Sequence, residues 1–243
     1  MLKKETKPAA HLDVVQTKDM LKRLLGEFLG TFSLVFCGTG AIIVNQESGG
    51  MITHPGIAMV FGLVVMVMIL SFGHISGAHI NPAVSIALSI AKRFKWSNVM
   101  PYILAQLTGA LVASLSLHFL FPKSELLGST IPRGSDLQSF VFETILSFLL
   151  MIVILSSTSK KDHSLFGPAL AIGGTVGLEA LFAGPVCGAS MNPARSLGPV
   201  IIANHYQSVW IYILAPVLGA VLGSLVFLTI KETDLIKNEN KRV

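Results

Sequence analysis

Two copies of one tripeptide carry the chemistry that this sequence suggests. They are Asn81-Pro82-Ala83 and Asn192-Pro193-Ala194. Proline suits the first turn of a helix, where its missing N–H group is not needed, and asparagine is a preferred N-cap residue. Each copy therefore predicts a helix that begins abruptly at the proline and has a side-chain amide at its tip.

Two such tips would act on any molecule that passes between them. A helix N-terminus carries roughly +0.5 of a unit charge, so two facing tips repel cations, protons included. The amides of Asn81 and Asn192 can each donate an N–H to a passing oxygen atom. A water molecule held in this way cannot relay a proton across the centre. Buried polar tips are tolerated in a membrane only around a water-lined cavity.

The residues before each tripeptide are expected to be extended and to offer backbone carbonyl groups to the same cavity. Glycine in both stretches permits the close turns that this requires. The predicted pore-lining residues are Gly77, Ala78, His79 and Ile80 in the first stretch and Gly188, Ser190 and Met191 in the second.

Four charged residues stand within otherwise apolar segments. Arg195 is expected to line a water-filled cavity, and snorkelling to the membrane surface is the alternative. Glu27 and Glu143 are expected to accept hydrogen bonds from backbone N–H groups of the two extended stretches, although a proton relay is another role typical of buried acids. Glu179 either shapes the outer vestibule, pairs with Arg195, or turns towards a neighbouring segment or the headgroups; the helical period favours turning away.

The cysteine and histidine residues near the tripeptides say less about function. We hypothesise that Cys187, in the second extended stretch, is accessible to a thiol reagent from the pore. No metal site is expected around His74 and His79, because no carboxylate or thiol lies at ligand spacing from them.

The composition predicts the setting in which these residues act. Hydrophobic residues make up 52% of the 243 residues and charged residues only 13%, whereas soluble domains carry about 25% charged residues. Six apolar runs are long enough to span a bilayer. They lie at roughly 24–44, 55–74, 98–120, 137–155, 167–183 and 208–230. The sequence therefore predicts an all-α integral membrane protein with six transmembrane helices and two re-entrant half-helices.

The basic residues orient the six spans. They concentrate in the N-terminal tail, the 92–95 and 160–161 connections and the C-terminal tail, while the other loops hold only Lys123 and Arg133. By the positive-inside rule, the side that is rich in basic residues is cytoplasmic, so both termini are expected on that side. The polar, basic first 23 residues do not look like a cleavable signal peptide. The net charge of +5 follows from this topology and does not indicate nucleic-acid binding.

The two halves of the chain repeat each other. Gly62 and Asn81 correspond to Gly173 and Asn192, at one constant offset along the chain. Three spans per half is an odd number, so the second half must enter the membrane from the opposite face and form an inverted repeat. The expected organisation is a cytoplasmic tail (1–23), a channel domain (24–230) with repeats at about 24–120 and 137–230, and a second cytoplasmic tail (231–243).

The segments around the tripeptides, 73–84 and 188–199, resemble the signature loops of the aquaporin (major intrinsic protein) family. The likeness runs from about residue 20 to 230. It implies the aquaporin fold, no cofactor, and a homotetramer with a separate pore in each protomer. It also implies a selectivity filter at four positions, which are Phe61, Ala180, Ala189 and Arg195.

Two of the residues near this filter depart from the better-known branches of the family. Ala180 stands where strictly water-selective members place a histidine, and Ser196 stands where glycerol facilitators typically place an aspartate. The surrounding segments look most like plant nodulin-like intrinsic proteins and their bacterial relatives. That subgroup is associated with water, glycerol and neutral metalloid acids.

The sequence thus predicts a passive channel for water and small uncharged polar solutes (glycerol-like polyols, urea, neutral metalloid acids) that excludes protons and ions. The alternatives are a strictly water-selective channel and an inverted-repeat coupled transporter. An ion channel is disfavoured by Arg195 and the helix dipoles, and an enzyme by the lack of a nucleophile–base set or nucleotide loop. The expected partners are water, small solutes and lipid, not nucleic acid, and the expected location is a bacterial inner membrane.

Overall fold

A computed structural model describes residues 9–159 and 164–240. Within these ranges the chain forms eight α-helices. They are α1 (Ala9–Glu47), α2 (Thr53–Ser76), α3 (Pro82–Ile90), α4 (Val99–Leu120), α5 (Asp136–Ser157), α6 (Phe166–Cys187), α7 (Pro193–Ala203) and α8 (Val209–Asn240). Six of them are long and apolar enough to cross a membrane, whereas α3 and α7 have only 9 and 11 residues. The predicted fold class is confirmed.

The ends of the chain are more helical than the hydropathy suggested. Helix α1 begins at Ala9, inside the stretch expected to be a tail, and α8 continues to Asn240. A helix need not stop where apolar residues stop, because its backbone hydrogen bonds join residues of the same segment and do not require apolar side chains. Lys160 and Lys161, which help to orient the spans, lie outside the described residues.

The short helices begin and end as their sequences indicate. Pro82 and Pro193 occupy the first turns of α3 and α7, and the preceding asparagines are extended N-cap residues. The helices before them, α2 and α6, are followed by the C-cap residues Gly77 and Gly188, whose φ angles are +91° and +87°. A left-handed residue at this place is readily adopted by glycine, and it turns the chain out of the helix.

Glycines bring pairs of long helices close together at corresponding places in the two repeats. A Cβ atom on Gly109 of α4 would lie 2.4 Å from the Phe28 carbonyl oxygen of α1. A Cβ atom on Gly219 of α8 would lie 2.0 Å from the Thr144 carbonyl oxygen of α5. Small residues permit this backbone-to-backbone packing in membrane bundles.

The repeats interlock around the centre. Helix α2 packs on α6 through Gly62 and Gly173, and each glycine Cβ would lie within 2.7 Å of the other's carbonyl oxygen. The half-helices cross between repeats: α3 packs against α8, and α7 packs against α4. This exchange holds the N-termini of α3 and α7 together in the middle of the molecule.

Candidate pore

The two half-helices meet tip to tip through their asparagines. Nδ2 of Asn81 donates to the Met191 carbonyl oxygen at 2.7 Å, and Nδ2 of Asn192 donates to the Ile80 carbonyl oxygen at 2.8 Å. Each amide is therefore bonded to the loop of the opposite repeat. These two hydrogen bonds fix the distance between the loops at the narrow centre of the bundle.

Each asparagine amide also caps its own helix. Oδ1 of Asn81 accepts from the Ala83 N–H at 2.9 Å, and Oδ1 of Asn192 accepts from the Ala194 and Arg195 N–H groups at 3.0 and 3.3 Å. An amide nitrogen has two hydrogens, and the bond between the loops uses one. Both asparagines line the central cavity, so one N–H of each is available to a molecule in it.

The loops before the half-helices hold residues in strained conformations. Ala78 and Ile80 have φ angles of +46° and +43°, and Ala189 and Met191 have +42° and +53°. A non-glycine residue in the left-handed region costs about 1–3 kcal/mol and persists only where its surroundings enforce it.

Two buried carboxylates stabilise these conformations by binding N–H groups on the side of each loop that faces away from the cavity. Glu27 accepts the His79 and Ile80 N–H groups at 2.9 and 2.7 Å. Glu143 accepts the Ser190 and Met191 N–H groups, both at 2.7 Å. Because each carboxylate binds the N–H groups, the carbonyl groups of the same peptides remain free for the other side of the loop.

A tyrosine on the last long helix of each repeat completes the support, and sequence reasoning did not identify it. Tyr102 donates to the Ser76 carbonyl oxygen at 2.8 Å, and Tyr212 donates to the Cys187 carbonyl oxygen at 2.7 Å. Both bonds satisfy the C-terminal turn of the helix that precedes the loop. The signal that could have found them is the repeat, since Tyr212 stands at the same offset from Tyr102 as Gly219 from Gly109.

Two cavities, an inner one of about 540 Å³ and an outer one of about 800 Å³, meet at the residues expected to form the filter. Phe61, Ala189 and Arg195 line both cavities, and Ala180 lines the larger one. Of the expected backbone residues, Gly77, Ala78, His79, Ile80, Ser190 and Met191 line the smaller cavity and Gly188 the larger one. The structure thus brings all of these residues to one continuous path.

Arg195 is held firmly at the junction of the cavities. Its Nη1 donates to the Gly128 carbonyl oxygen at 3.1 Å, and its Cζ lies 5.0 Å from the ring centroid of Phe61. Its Nε has no hydrogen-bond partner among the described residues. Arg195 is 3% exposed and does not snorkel to the surface. A solute oxygen at the junction can therefore accept from this guanidinium.

Ser196, next to the arginine, belongs to a chain of hydroxyl groups. Thr130 donates to Ser196 at 2.8 Å, and the Ser190 and Ser196 hydroxyls lie 2.5 Å apart. This chain joins the loop before α5 to the start of α7. Ser196 therefore stabilises the outer loop and is not aimed at the path.

Two further residues, for which the sequence left open whether they face the path, lie away from it. Cys187 is fully buried, and its Sγ accepts from the Ala189 N–H at 3.4 Å, so the hypothesis of pore access is wrong. Its sulfur is bonded within the turn that leads into the loop, and it lines neither cavity. Glu179 is 1% exposed, forms no ion pair with Arg195 and lines neither cavity, which agrees with the favoured expectation that it turns away from the path. Neither of its carboxylate oxygens has a hydrogen-bond partner among the described residues.

A metal site receives no support from the described part of the chain. In residues 9–159 and 164–240, no group of three His, Cys, Asp or Glu side chains could hold a metal ion. His79 instead packs edge-on against Phe94, with its Nδ1 3.0 Å from the Ser85 hydroxyl.

Comparison with known proteins decides the family. The family model described as "Major intrinsic protein" matches residues 14–227. This chain belongs to the major intrinsic protein family. Membership explains the paired half-helices, and it confirms the prediction of a channel rather than an enzyme.

Relatives within the family place the chain more closely. Aquaporin NIP1-1 of Oryza sativa subsp. japonica is 46% identical over 217 residues, which cover 88% of this chain and 76% of the rice protein. Nodulin-26 of Glycine max is 44% identical over 224 residues, which cover 91% of this chain and 82% of the soybean protein. The predicted likeness to the nodulin-like subgroup is confirmed.

A solved structure agrees with the fold. The X-ray structure of the aquaglyceroporin from Plasmodium falciparum superposes with a TM-score of 0.80 at 26% identity, covering 86% of this chain and 95% of that one. The chain is accordingly an integral, multi-pass membrane protein. The rice and soybean relatives are plant proteins, so they give no support to the expected bacterial inner membrane.

Proposed function

We propose that this chain is a passive channel for water and small uncharged polar solutes, with Phe61, Ala180, Ala189 and Arg195 as its selectivity filter. The observation that carries the proposal is the junction of the two cavities at Phe61, Ala189 and Arg195. Every molecule that moves between the cavities must pass these side chains. Permeation then depends on their size and hydrogen-bonding groups.

The chemistry of this junction suits small molecules with several hydroxyl groups. Ala180 and Ala189 leave room beside a single aromatic ring, because an alanine side chain is one methyl group. Phe61 offers an apolar face to the carbon chain of a polyol, and Arg195 offers N–H donors to its oxygens. Glycerol-like polyols, urea and neutral metalloid acids share this combination of small size, neutrality and oxygen or amide groups.

Exclusion of ions follows from the same residues and from the centre of the path. Arg195 repels cations at the junction, and the N-termini of α3 and α7 add partial positive charge at the tips. The free N–H of each asparagine orients a water molecule there, so hydrogen-bonded water cannot conduct a proton through the centre. A coupled transporter would need ligands for a cation at this midpoint, where the field has the wrong sign.

The name of the structural relative supports a solute-permeable channel. That protein is an aquaglyceroporin, and Ala180 in this chain lacks the bulk that a filter restricted to water requires. The strictly water-selective channel therefore remains the second candidate. It would require another side chain to fill the space beside Ala180.

The test compares two solutes in one pair of variants. Reconstituted Ala180→His protein should lose glycerol permeability on the order of tenfold, which corresponds to about 1.4 kcal/mol in the barrier, while water permeability falls much less. Ala180→Ser keeps the volume and serves as the control. Equal losses of water and glycerol flux would contradict the filter assignment. Uptake against a gradient driven by protons or sodium would reject the channel altogether.

We also propose a homotetramer in lipid with both termini on the cytoplasmic side. Large apolar side chains such as Leu63, Leu104 and Leu214 are exposed on the outer faces of the long helices, where they suit contact with lipid or with other protomers. Native mass spectrometry in detergent should show a species of four chains. A monomer under mild conditions would contradict the assembly but not the pore, which each protomer contains whole.

A further inference from the structure

A second arginine lines the inner cavity, at the end opposite to Arg195. Arg93 follows α3, in the connection that leads to α4, and it lines the same cavity as Asn81 and Arg195. In the sequence it counts only as one of the basic residues that orient the spans. Because it stands at the mouth of the cavity, its charge also acts on molecules that enter there.

The guanidinium of Arg93 is fixed in place by the C-terminal end of α5. Nη1 donates to the Leu155 carbonyl oxygen and to the Thr158 hydroxyl, both at 3.0 Å, and Nη2 donates to the Ser159 hydroxyl at 2.5 Å. The Cζ atom lies 5.0 Å from the ring centroid of Phe227 in α8. A surface arginine with free rotation would not have this set of partners, so the charge has a defined position.

No acid among the described residues neutralises this charge. In residues 9–159 and 164–240, no carboxylate lies within ion-pair distance of Arg93. The charged neighbours in its own connection are Lys92 and Lys95, and the other titratable group that lines the cavity besides Arg195 is His79. Partial burial lowers the pKa of Arg93, but arginine stays protonated in proteins. The described residues of the inner mouth therefore carry a net positive charge.

We propose that Arg93 is a second cation-excluding residue, which sets a positive potential at the inner mouth of the pore as Arg195 does at the junction with the outer cavity. This inference rests on the proposed channel function. A cation that enters from the α5 C-terminal end meets Arg93 before it reaches the asparagine tips. Exclusion is then enforced from both ends of the inner cavity.

The first experiment measures sodium leak into vesicles that contain the reconstituted channel. In the Arg195→Val background, Arg93→Gln should raise the leak roughly fivefold, the effect of one unit charge at about 4 Å in water. Lys92→Gln removes the same charge from the adjacent exposed residue, which does not line the cavity and is screened by solvent, so it should change the leak little. Arg93→Lys loses the forked hydrogen bonds but keeps the charge. If the charge excludes cations, this variant should therefore keep the leak low.

The outcomes separate charge from structure. Leaks that are the same for Arg93→Gln and Lys92→Gln would overturn the proposal, including the case in which neither rises above Arg195→Val alone. If Arg93→Lys leaks as much as Arg93→Gln, the residue acts only through the hydrogen bonds that hold it to the end of α5, and the proposal also fails. Water permeability of each sample shows whether the pore is intact. Absence of water permeability in the wild type would instead defeat the proposed function.

A second measurement does not depend on the double variants. A reporter Leu165→Cys at the inner mouth, in a Cys37→Ser background, is reacted with methanethiosulfonates that carry either a sulfonate or a trimethylammonium group. Removal of the charge should slow the anionic reagent and speed the cationic one, each roughly fivefold, so their ratio should fall roughly 25-fold on Arg93→Gln and stay unchanged on Lys92→Gln. An unchanged ratio in both would overturn the proposal.

Discussion

The two re-entrant loops share one backbone design but differ in the side chains around it. In both loops a glycine in the left-handed region is followed by two strained residues, a buried carboxylate binds two N–H groups, and a tyrosine satisfies the preceding helix end. The first carboxylate, Glu27, also accepts from Nε2 of Gln106 at 2.8 Å. The position in the second repeat that corresponds to Gln106, at the offset between the two tyrosines, is Pro216, which offers no donor.

Other differences follow the same pattern. At the offset that relates Asn81 to Asn192, Val84 in α3 corresponds to Arg195 in α7, and Met68 in α2 corresponds to Glu179 in α6. The shared part is what two half-helices need in order to meet inside a membrane. The side chains that differ give the two ends of the path different chemistry. The two halves therefore share the frame, while three of the four residues of the proposed filter, all but Ala189, stand where the halves differ.

The largest expected effect comes from removing the carboxylates. Glu27→Ala removes three hydrogen bonds, from the His79 and Ile80 N–H groups and from Nε2 of Gln106, whereas Glu143→Ala removes two. Each unsatisfied buried donor costs about 1–3 kcal/mol, so Glu27→Ala should destabilise more. Thermal unfolding in detergent measures this, with exposed Glu47→Ala as the control. The reverse order would show that the extra Gln106 bond is unimportant.

Glycine substitutions at the helix contacts should have the next largest effect. Alanine at Gly219 or Gly109 would place its Cβ 2.0 or 2.4 Å from a backbone carbonyl oxygen that cannot rotate away. Forced separation of the helices should destabilise each variant by about 1–3 kcal/mol, and Gly219→Ala more than Gly109→Ala. Gly174→Ala, which meets nothing within 4 Å, is the matched control in the same thermal assay. Equal melting temperatures for all three would contradict this close packing of the helices.

The smallest effect should have the opposite sign. Glu179→Met copies the residue that the first repeat has at this place and removes a buried carboxyl group without a described partner. Burial of an unpaired polar group is unfavourable, so the variant should unfold about 2–4 °C higher for each kcal/mol gained. Water permeability should not change, because Glu179 lines neither cavity. A lower unfolding temperature would indicate that Glu179 has a partner that stabilises it.

Local rules were sufficient for the frame of the molecule. Proline at the first helical position and asparagine before it predicted where α3 and α7 begin, and the offset between halves predicted the inverted repeat. These features depend on neighbouring residues or on counting. They need no knowledge of which distant segments meet.

Contacts between distant segments were not predictable in the same way. Nothing near Cys187 in the sequence tells whether its sulfur faces the path or the back of the loop. The bond from Arg195 to the Gly128 carbonyl oxygen joins residues that are far apart in the chain, through a loop without a regular pattern. The helical start at Ala9 was missed because hydropathy reports the membrane boundary and not the end of a helix.

The most direct test measures solute and proton movement in the same proteoliposomes. Stopped-flow light scattering after an osmotic step should show rapid water efflux and, with glycerol outside, re-swelling that empty vesicles lack. A pH-sensitive dye inside the vesicles should report no proton flux above the empty control. Proton entry in step with water, or water efflux without any glycerol permeability, would contradict a channel that passes small neutral solutes and excludes ions.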